Sequence, residues 1–205
     1  MKLEMTPLWQ PVLDFWFADG LEKGWPSQDM SRVWFGGSRG LDAEITERFA
    51  ELVEAARWNE LVDWEARPLS RLALVILLDQ FTRNIYRGQP EAFSGDHRAC
   101  TLVIEGMARG FDDDLPWIGR VFFYMPLMHA EDLALQDECV AHFEKLVQQA
   151  PEEISAKISN NLVHAREHRD IIVRFGRFPH RNRVLGREST PEEEAFLETA
   201  KRYGQ

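Results

Sequence analysis

Two cysteines in 205 residues cannot build a disulfide scaffold, and Cys100 and Cys139 fall in different expected helices. They read as small apolar core residues of a reducing compartment. The opening Met1-Lys2-Leu3-Glu4 carries no apolar h-region, so no secretory signal is expected. The longest wholly aliphatic run, Leu72 to Leu78, has seven residues; a membrane span needs about 20. Positive charge is scarce too. Against 34 acidic residues stand 24 lysines and arginines, a net charge of -10. That argues against general nucleic-acid binding, which neutralises phosphates with basic surface. Neither nucleic acid nor membrane is therefore expected as a partner, and the expected location is the cytoplasm. No Walker loop, dinucleotide glycine motif, Gly-x-Ser-x-Gly elbow or catalytic cysteine context occurs. Clean strand alternation, low-complexity tracts and internal repeats are likewise missing.

What remains is helix, almost throughout, in a chain of the length of one domain, 1–205. Gln10-Pro11 can open a first, buried helix. Asp42 reads as the N-cap of a helix whose apolar residues, Ile45, Phe49, Leu52, Val53 and Ala56, recur at helical spacing, and Asn59 as its left-handed terminator. A helix from Leu69 to about Thr82 has no polar face for two turns, which places it at the centre. Pro90 and Asp96 start the next, and Gly110 stops it. An aromatic helix opens at Leu115-Pro116 and should be interrupted at Pro126. A long helix is expected from about Ala130 to Gln149, with Glu131 and Asp132 in its first turn. Another runs from Pro151 to Gly176, with Ile154, Ile158, Asn161, Ala165, His168, Ile172 and Phe175 as its inward stripe. Thr190 and Glu193 form a capping box for a last helix reaching about Tyr203. Antiparallel helical hairpins joined by short loops are the base reading.

Charge is uneven along this frame. From His164 to Arg187 seven arginines face two acids, a local balance of +5, and from Asp112 to Glu138 seven acids face Arg120 alone, a balance of -6. The two segments can pair within the fold or polarise a pocket. Arginines outnumber lysines 19 to 5. The bias suits bidentate contact with carboxylate or phosphate, and follows equally from a GC-rich genome.

Three segments carry a resemblance: Leu77-Leu78-Asp79-Gln80-Phe81-Thr82-Arg83-Asn84-Ile85-Tyr86-Arg87-Gly88, then Tyr124-Met125-Pro126-Leu127-Met128-His129-Ala130-Glu131-Asp132-Leu133, then His168 to Asn182. With Asp14-Phe15-Trp16-Phe17 and Leu185 to Thr190, they resemble the bacterial DUF924 family of uncharacterised proteins over nearly the whole chain. The resemblance implies an all-α fold of the tetratricopeptide-repeat-like superhelical type, with no significant β-sheet. It implies no activity. The family usually has proline where Thr82 stands, a small polar residue at Ala130 and glycine at Asn59; none of these departures deletes a titratable group.

The polar residues of these segments are the candidates. Asp79 and Arg83, four apart on a helix, can pair beside an apolar run. Arg83 then serves either a network between helices or, with Asn84, an anion. Glu131 and Asp132 can complement a helix dipole or line a site. His129 beside carboxylates fits a general acid or base, as does His180. His168 lies on the apolar stripe, where a hydrogen-bonded core histidine is the commoner explanation; His164 reads as surface. Arg174, Arg177 and Arg181 crowd a helix end, where capping explains one or two of them and a bound anion or internal carboxylates the rest. The histidine spacing fits no zinc motif, so neither metal nor cofactor is expected. The first expectation is a binding module whose polar pocket takes a small anion or an acidic peptide end of a partner protein. The alternatives are an enzyme, a hydrolase for instance, with a histidine acid/base and an arginine-held anionic substrate, or a purely structural network with partners bound elsewhere.

Overall fold

The computed structural model describes residues 6–199, and among them there is no strand. The helices are α1 (Gln10–Phe17), α2 (Gly20–Lys23), α3 (Ser31–Phe35), α4 (Arg39–Arg57), α5 (Pro68–Val75), α6 (Thr82–Ile85), α7 (Asp96–Ala108), α8 (Trp117–Met128), α9 (Leu133–Gln149), α10 (Glu152–Phe175) and α11 (Pro191–Thr199). A π-helical segment, Ile76–Phe81, joins α5 to α6. Short 3-10 turns occupy Val62–Ala66, Pro90–Phe93 and Pro179–Arg181.

Two segments sit at the centre. From Leu72 to Phe81 every residue is buried, as the missing polar face requires. Along α8 only Trp117 and Arg120 escape full burial, and this helix packs on α5, α7, α9 and α10. Trp16, Phe17, Trp34 and Phe81 gather around Phe122 or its neighbours in edge-to-face ring contacts. Such pairs add to plain area burial. Helices α9 and α10, joined only by Ala150 and Pro151, form an antiparallel hairpin along most of their length. A smaller apolar cluster, Ile171, Ile172 and Phe178, carries the end of α10 and the turn after it. Cys100 and Cys139 are free and buried, and burial pushes both thiols up, Cys100 to about 12.

Several boundaries differ from expectation for identifiable reasons. Helix α4 starts at Arg39, a turn before Asp42, because the Asp42 carboxylate is engaged elsewhere, by Arg87 and Asn84. Pro126 does not interrupt α8. Its missing N–H falls in the last turn, and its carbonyl is used by the Cys100 Sγ at 3.3 Å. The following helix begins at Leu133 rather than Ala130. Asp132 is its N-cap, accepting from the Leu135 amide at 3.1 Å, and Glu131 lies outside it. Replacing Asp132 with alanine is expected to lower folding stability by about 1 kcal/mol, read by urea unfolding; an unchanged midpoint would show that the cap contributes nothing. Asn59 (φ 59°) and Gly176 (φ 69°) do end α4 and α10 in the left-handed region. The Thr190–Glu193 capping box is formed, with Thr190 N donating to Glu193 at 2.8 Å and Glu193 N to Thr190 Oγ1 at 3.2 Å. The expected extension of the last helix to Tyr203 lies outside the described residues.

Within Ile76–Phe81 the helix is one residue too wide per turn. The Thr82 amide reaches back five residues to the Leu77 carbonyl, while its hydroxyl bonds the Leu78 carbonyl at 2.7 Å. Such π segments recur at functional sites. Here the segment delivers Asp79 and Gln80 toward α8 and sets Arg83, Asn84 and Arg87 beyond them.

Candidate functional site

A cleft of about 460 Å³ opens where the C-terminal end of α8, the π segment with α6, the middle of α10 and the turn at Pro179–Arg181 meet. Its size suits a small organic molecule. The walls are Gln80, Arg83, Asn84, Arg87, His129, Asn160, Asn161, His164, His168, His180 and Arg181, with Val33, Trp34, Phe35, Phe93, Met125 and Met128 as the apolar part.

The base of the cleft is a carboxylate–histidine pair. Asp79 is wholly buried, and its Oδ1 lies 2.7 Å from His129 Nδ1. The turn bearing His129 is fixed by Gln136, whose Nε2 donates to the carbonyls of Met128 at 2.7 Å and Ala130 at 2.8 Å. Burial alone would push Asp79 up; His129 and Arg83, with hydrogen bonds from His129 and Gln80, outweigh it and hold the carboxyl below its usual range. An ionised carboxylate only accepts, so His129 Nδ1 carries the hydrogen. The other ring nitrogen, Nε2, has no protein partner among the described residues.

The arginines nearby are largely committed. Arg83 donates to the Asp79 carbonyl at 2.6 Å, and its guanidinium lies 2.8 Å from Asp96 and 3.3 Å from the Asp79 carboxylate. Arg181 donates to Asp96 at 3.1 Å and to the His129 carbonyl at 2.8 Å, between the rings of Phe93 and Phe178. Burial brings Arg181 down to about 10, still charged at neutral pH. Arg87 chelates Asp42, which also holds Asn84. The three cations in the wall, Arg83, Arg87 and Arg181, thus meet three carboxylates, Asp79, Asp42 and Asp96, and their charges cancel.

Two more histidines face the pair. Burial, then the neighbouring His129, pushes His168 down to about 3; burial, then Arg181, pushes His180 down to about 4. Both are neutral imidazoles at pH 7. His168 Nδ1 is 2.8 Å from the His164 carbonyl, which can only accept, so its hydrogen sits there. The His129 and His168 ring centroids are 6.3 Å apart. Among the described residues no group of three histidine, cysteine or acidic side chains could hold a metal ion.

The sequence candidates therefore divide. Arg83, Asn84, His129, His168, His180 and Arg181 line the cleft, and Asp79 lies directly under it. Four others stand apart. Glu131 accepts from both terminal nitrogens of Arg187, at 2.6 and 2.9 Å, and from the Phe178 amide, clasping the segment after α10 to the start of α9. Asp132 caps α9. Arg174 pairs with Glu192 at 2.8 Å and Arg177 with Glu193 at 2.7 Å, so α11 supplies the carboxylates that separate these cations. The acidic and basic segments pair directly as well, through Glu131–Arg187 and Asp137–Arg169.

Other lining residues escaped the sequence reading. His164, assigned to the surface, is in the wall and lies 3.2 Å from Glu167. Arg87 finds Asp42 across 45 residues, and no local pattern signals that partnership. Asn161 had a signal: an amide on an otherwise apolar stripe. Its side chain meets no hydrogen-bond partner among the described residues, and it lines the cleft beside His164 and His168.

The chain matches the model of a family described as "Bacterial protein of unknown function (DUF924)" over residues 12–201. It is similar to a solved structure of a protein of unknown function from Agrobacterium tumefaciens, at 39% identity and a TM-score of 0.76, covering 94% of this chain and 98% of that one. No curated protein matches it.

Proposed function

The chain belongs to the bacterial DUF924 family of unknown function, and from that starting point we propose that its cleft binds a small organic molecule on which the Asp79–His129 pair acts as general acid and base. The observation that carries this reading is a fully buried carboxylate 2.7 Å from a histidine that lines a cleft and whose second nitrogen has no protein partner among the described residues. A purely structural network would leave no such hollow. In the proposed role Asp79 fixes the tautomer and orientation of the ring, and His129 Nε2 exchanges the proton. Asn161 supplies an amide to a polar group of the ligand.

The ligand is a small anion of low charge or a neutral molecule, rather than a polyanion, since the wall arginines are already balanced by three carboxylates. Met125, Met128, Phe93 and Trp34 favour an apolar portion. Among the described lining residues there is no serine, threonine or cysteine. The reaction class that fits is hydrolysis by direct attack of water. His129 takes the water proton as the new bond forms and returns it to the leaving group as the old one breaks.

Turnover of p-nitrophenyl acetate, butanoate and hexanoate tests this. His129→Gln, whose amide can still donate to Asp79, should lower the rate by roughly 10²–10⁴-fold at a temperature where the variant is fully folded. Retention of the full rate in that variant, or no turnover above that of free imidazole, defeats the catalytic reading.

A further inference from the structure

A second hollow of about 460 Å³ adjoins the first, lined by Trp25, Met30, Val121 and Lys157 among others. Trp34, Phe35, Asn160 and Asn161 line both. One face of α10 runs the length of the pair. Lys157, Asn161, His164 and His168 follow one another at spacings of four, three and four residues, so they lie along one side of the helix. At a rise of 1.5 Å per residue that row spans about 16 Å.

The two ends of the trough differ chemically. At one end are His129 and its neutral histidine neighbours. Along the middle, Trp34 and Phe35 present rings, Phe35 being 64% exposed. At the other end, exposed Lys157 places its ammonium 5.3 Å from the Trp25 ring centroid. Lys157 meets no carboxylate among the described residues, in a chain where nearly every other cation near the cleft is paired. Asp29, the one acid among the described residues lining this hollow, is turned onto its own backbone and accepts from the Ser31 amide at 2.9 Å.

The geometry points to a single elongated ligand filling both hollows: an aliphatic or aromatic monocarboxylate whose carboxylate pairs with Lys157, whose apolar middle lies over Trp34 and Phe35, and whose far end reaches His129. This extends the reading of the first cleft as a small-molecule site by assigning the class of molecule and the second contact point. The trough excludes a dianion. Lys157 supplies one charge, and the balanced arginines at the far end supply none.

Isothermal titration at pH 7 with butanoate, hexanoate, octanoate and decanoate, each beside the matching primary alcohol, tests it. Affinity should rise roughly tenfold for every two methylenes added, up to decanoate, at one saturable site. Each acid should bind roughly five- to tenfold tighter than its alcohol. Lys157→Met should erase the preference for the acid and keep the dependence on chain length. An affinity that levels off at hexanoate, equal binding of acid and alcohol, indifference to Lys157→Met, or no saturable binding at all overturns the proposal. Flat chain-length dependence beside ester turnover that His129→Gln abolishes sinks the elongated ligand and spares the histidine pair. The reverse pattern sinks the pair and spares the trough.

Discussion

Asp79→Ala will cost about 3–5 kcal/mol of folding stability, the toll of leaving charged and polar groups buried without their counter-charge. The carboxylate is 0% exposed and is approached by His129 Nδ1 at 2.7 Å, Arg83 at 3.3 Å and the Gln80 amide at 2.6 Å. Alanine removes all three acceptor contacts and leaves a hole too small for a hydration shell. Arg83 keeps Asp96, which limits the loss; His129 and Gln80 keep nothing equivalent. Asp79→Asn preserves shape and one acceptor oxygen and should cost less, about 1–2 kcal/mol. The two proteins should also differ in their response to acid. The Asp79 carboxyl is held below its usual value in the fold, so its contribution is complete above the unfolded value near pH 4 and is lost as pH falls further. Urea unfolding from pH 7 to pH 2.5 should therefore show the gap between the parent protein and Asp79→Asn narrowing below about pH 4. A loss under 1 kcal/mol for Asp79→Ala, or a gap that is constant with pH, would mean that this carboxyl is not the ionised centre of the network.

Phe122→Ala should be comparably damaging, about 3–5 kcal/mol, for a different reason. The ring is 1% exposed, and its centroid lies 5.7 Å from that of Trp16, 5.3 Å from Phe17 and 4.9 Å from Trp34. Truncation removes the centre of this aromatic cluster and opens a cavity that stiff neighbours cannot close. It also reaches the cleft. Helix α3 has no buried residue and is held by Trp34, through the ring contact with Phe122 and the indole N–H to the Trp16 carbonyl at 2.8 Å. Without Phe122 Trp34 loses this ring contact and keeps the hydrogen bond, and Trp34 lines both hollows. Decanoate binding should weaken at least tenfold in this variant. Phe122→Leu, nearer in volume, should cost less than about 1.5 kcal/mol and retain binding. Equal stability of Phe122→Ala and the parent would show that the cluster carries no packing energy.

The helices were legible because their burial follows composition. Leu72 to Leu78 has no polar face and lies at the centre; Ile45, Phe49 and Val53 keep their spacing and are buried. Left-handed terminators at Asn59 and Gly176 and the Thr190–Glu193 box were also visible, since each rests on chemistry within a few residues. Boundaries set by distant partners were not. Asp42 looks like a cap, but Arg87 and Asn84 claim it, and nothing near it in sequence says so. The site was half legible on the same grounds. Asp79, Arg83, His129, His168, His180 and Arg181 do converge. Arg174 and Arg177, the densest charge in the chain, are instead answered by α11, because Glu192 and Glu193 fold back onto them. Charge density along a sequence measures demand for counter-charge; only the fold tells whether the supply is internal. The apolar half of the cleft, Trp34 and Phe35 above all, left no trace, since aromatic residues read first as core.

The widened turn at Ile76–Phe81 has a consequence for how this protein can change. A surplus residue lodged in a helix is a phase offset: everything after it is rotated by about 100° from where an uninterrupted spiral would place it. Asp79 sits inside the offset, and Arg83, Asn84 and Arg87 sit beyond it. Deleting one residue there would give a more regular helix and turn those side chains out of phase with His129 and Asp42. The geometry of the cleft thus depends on the length of this segment as well as on its side chains.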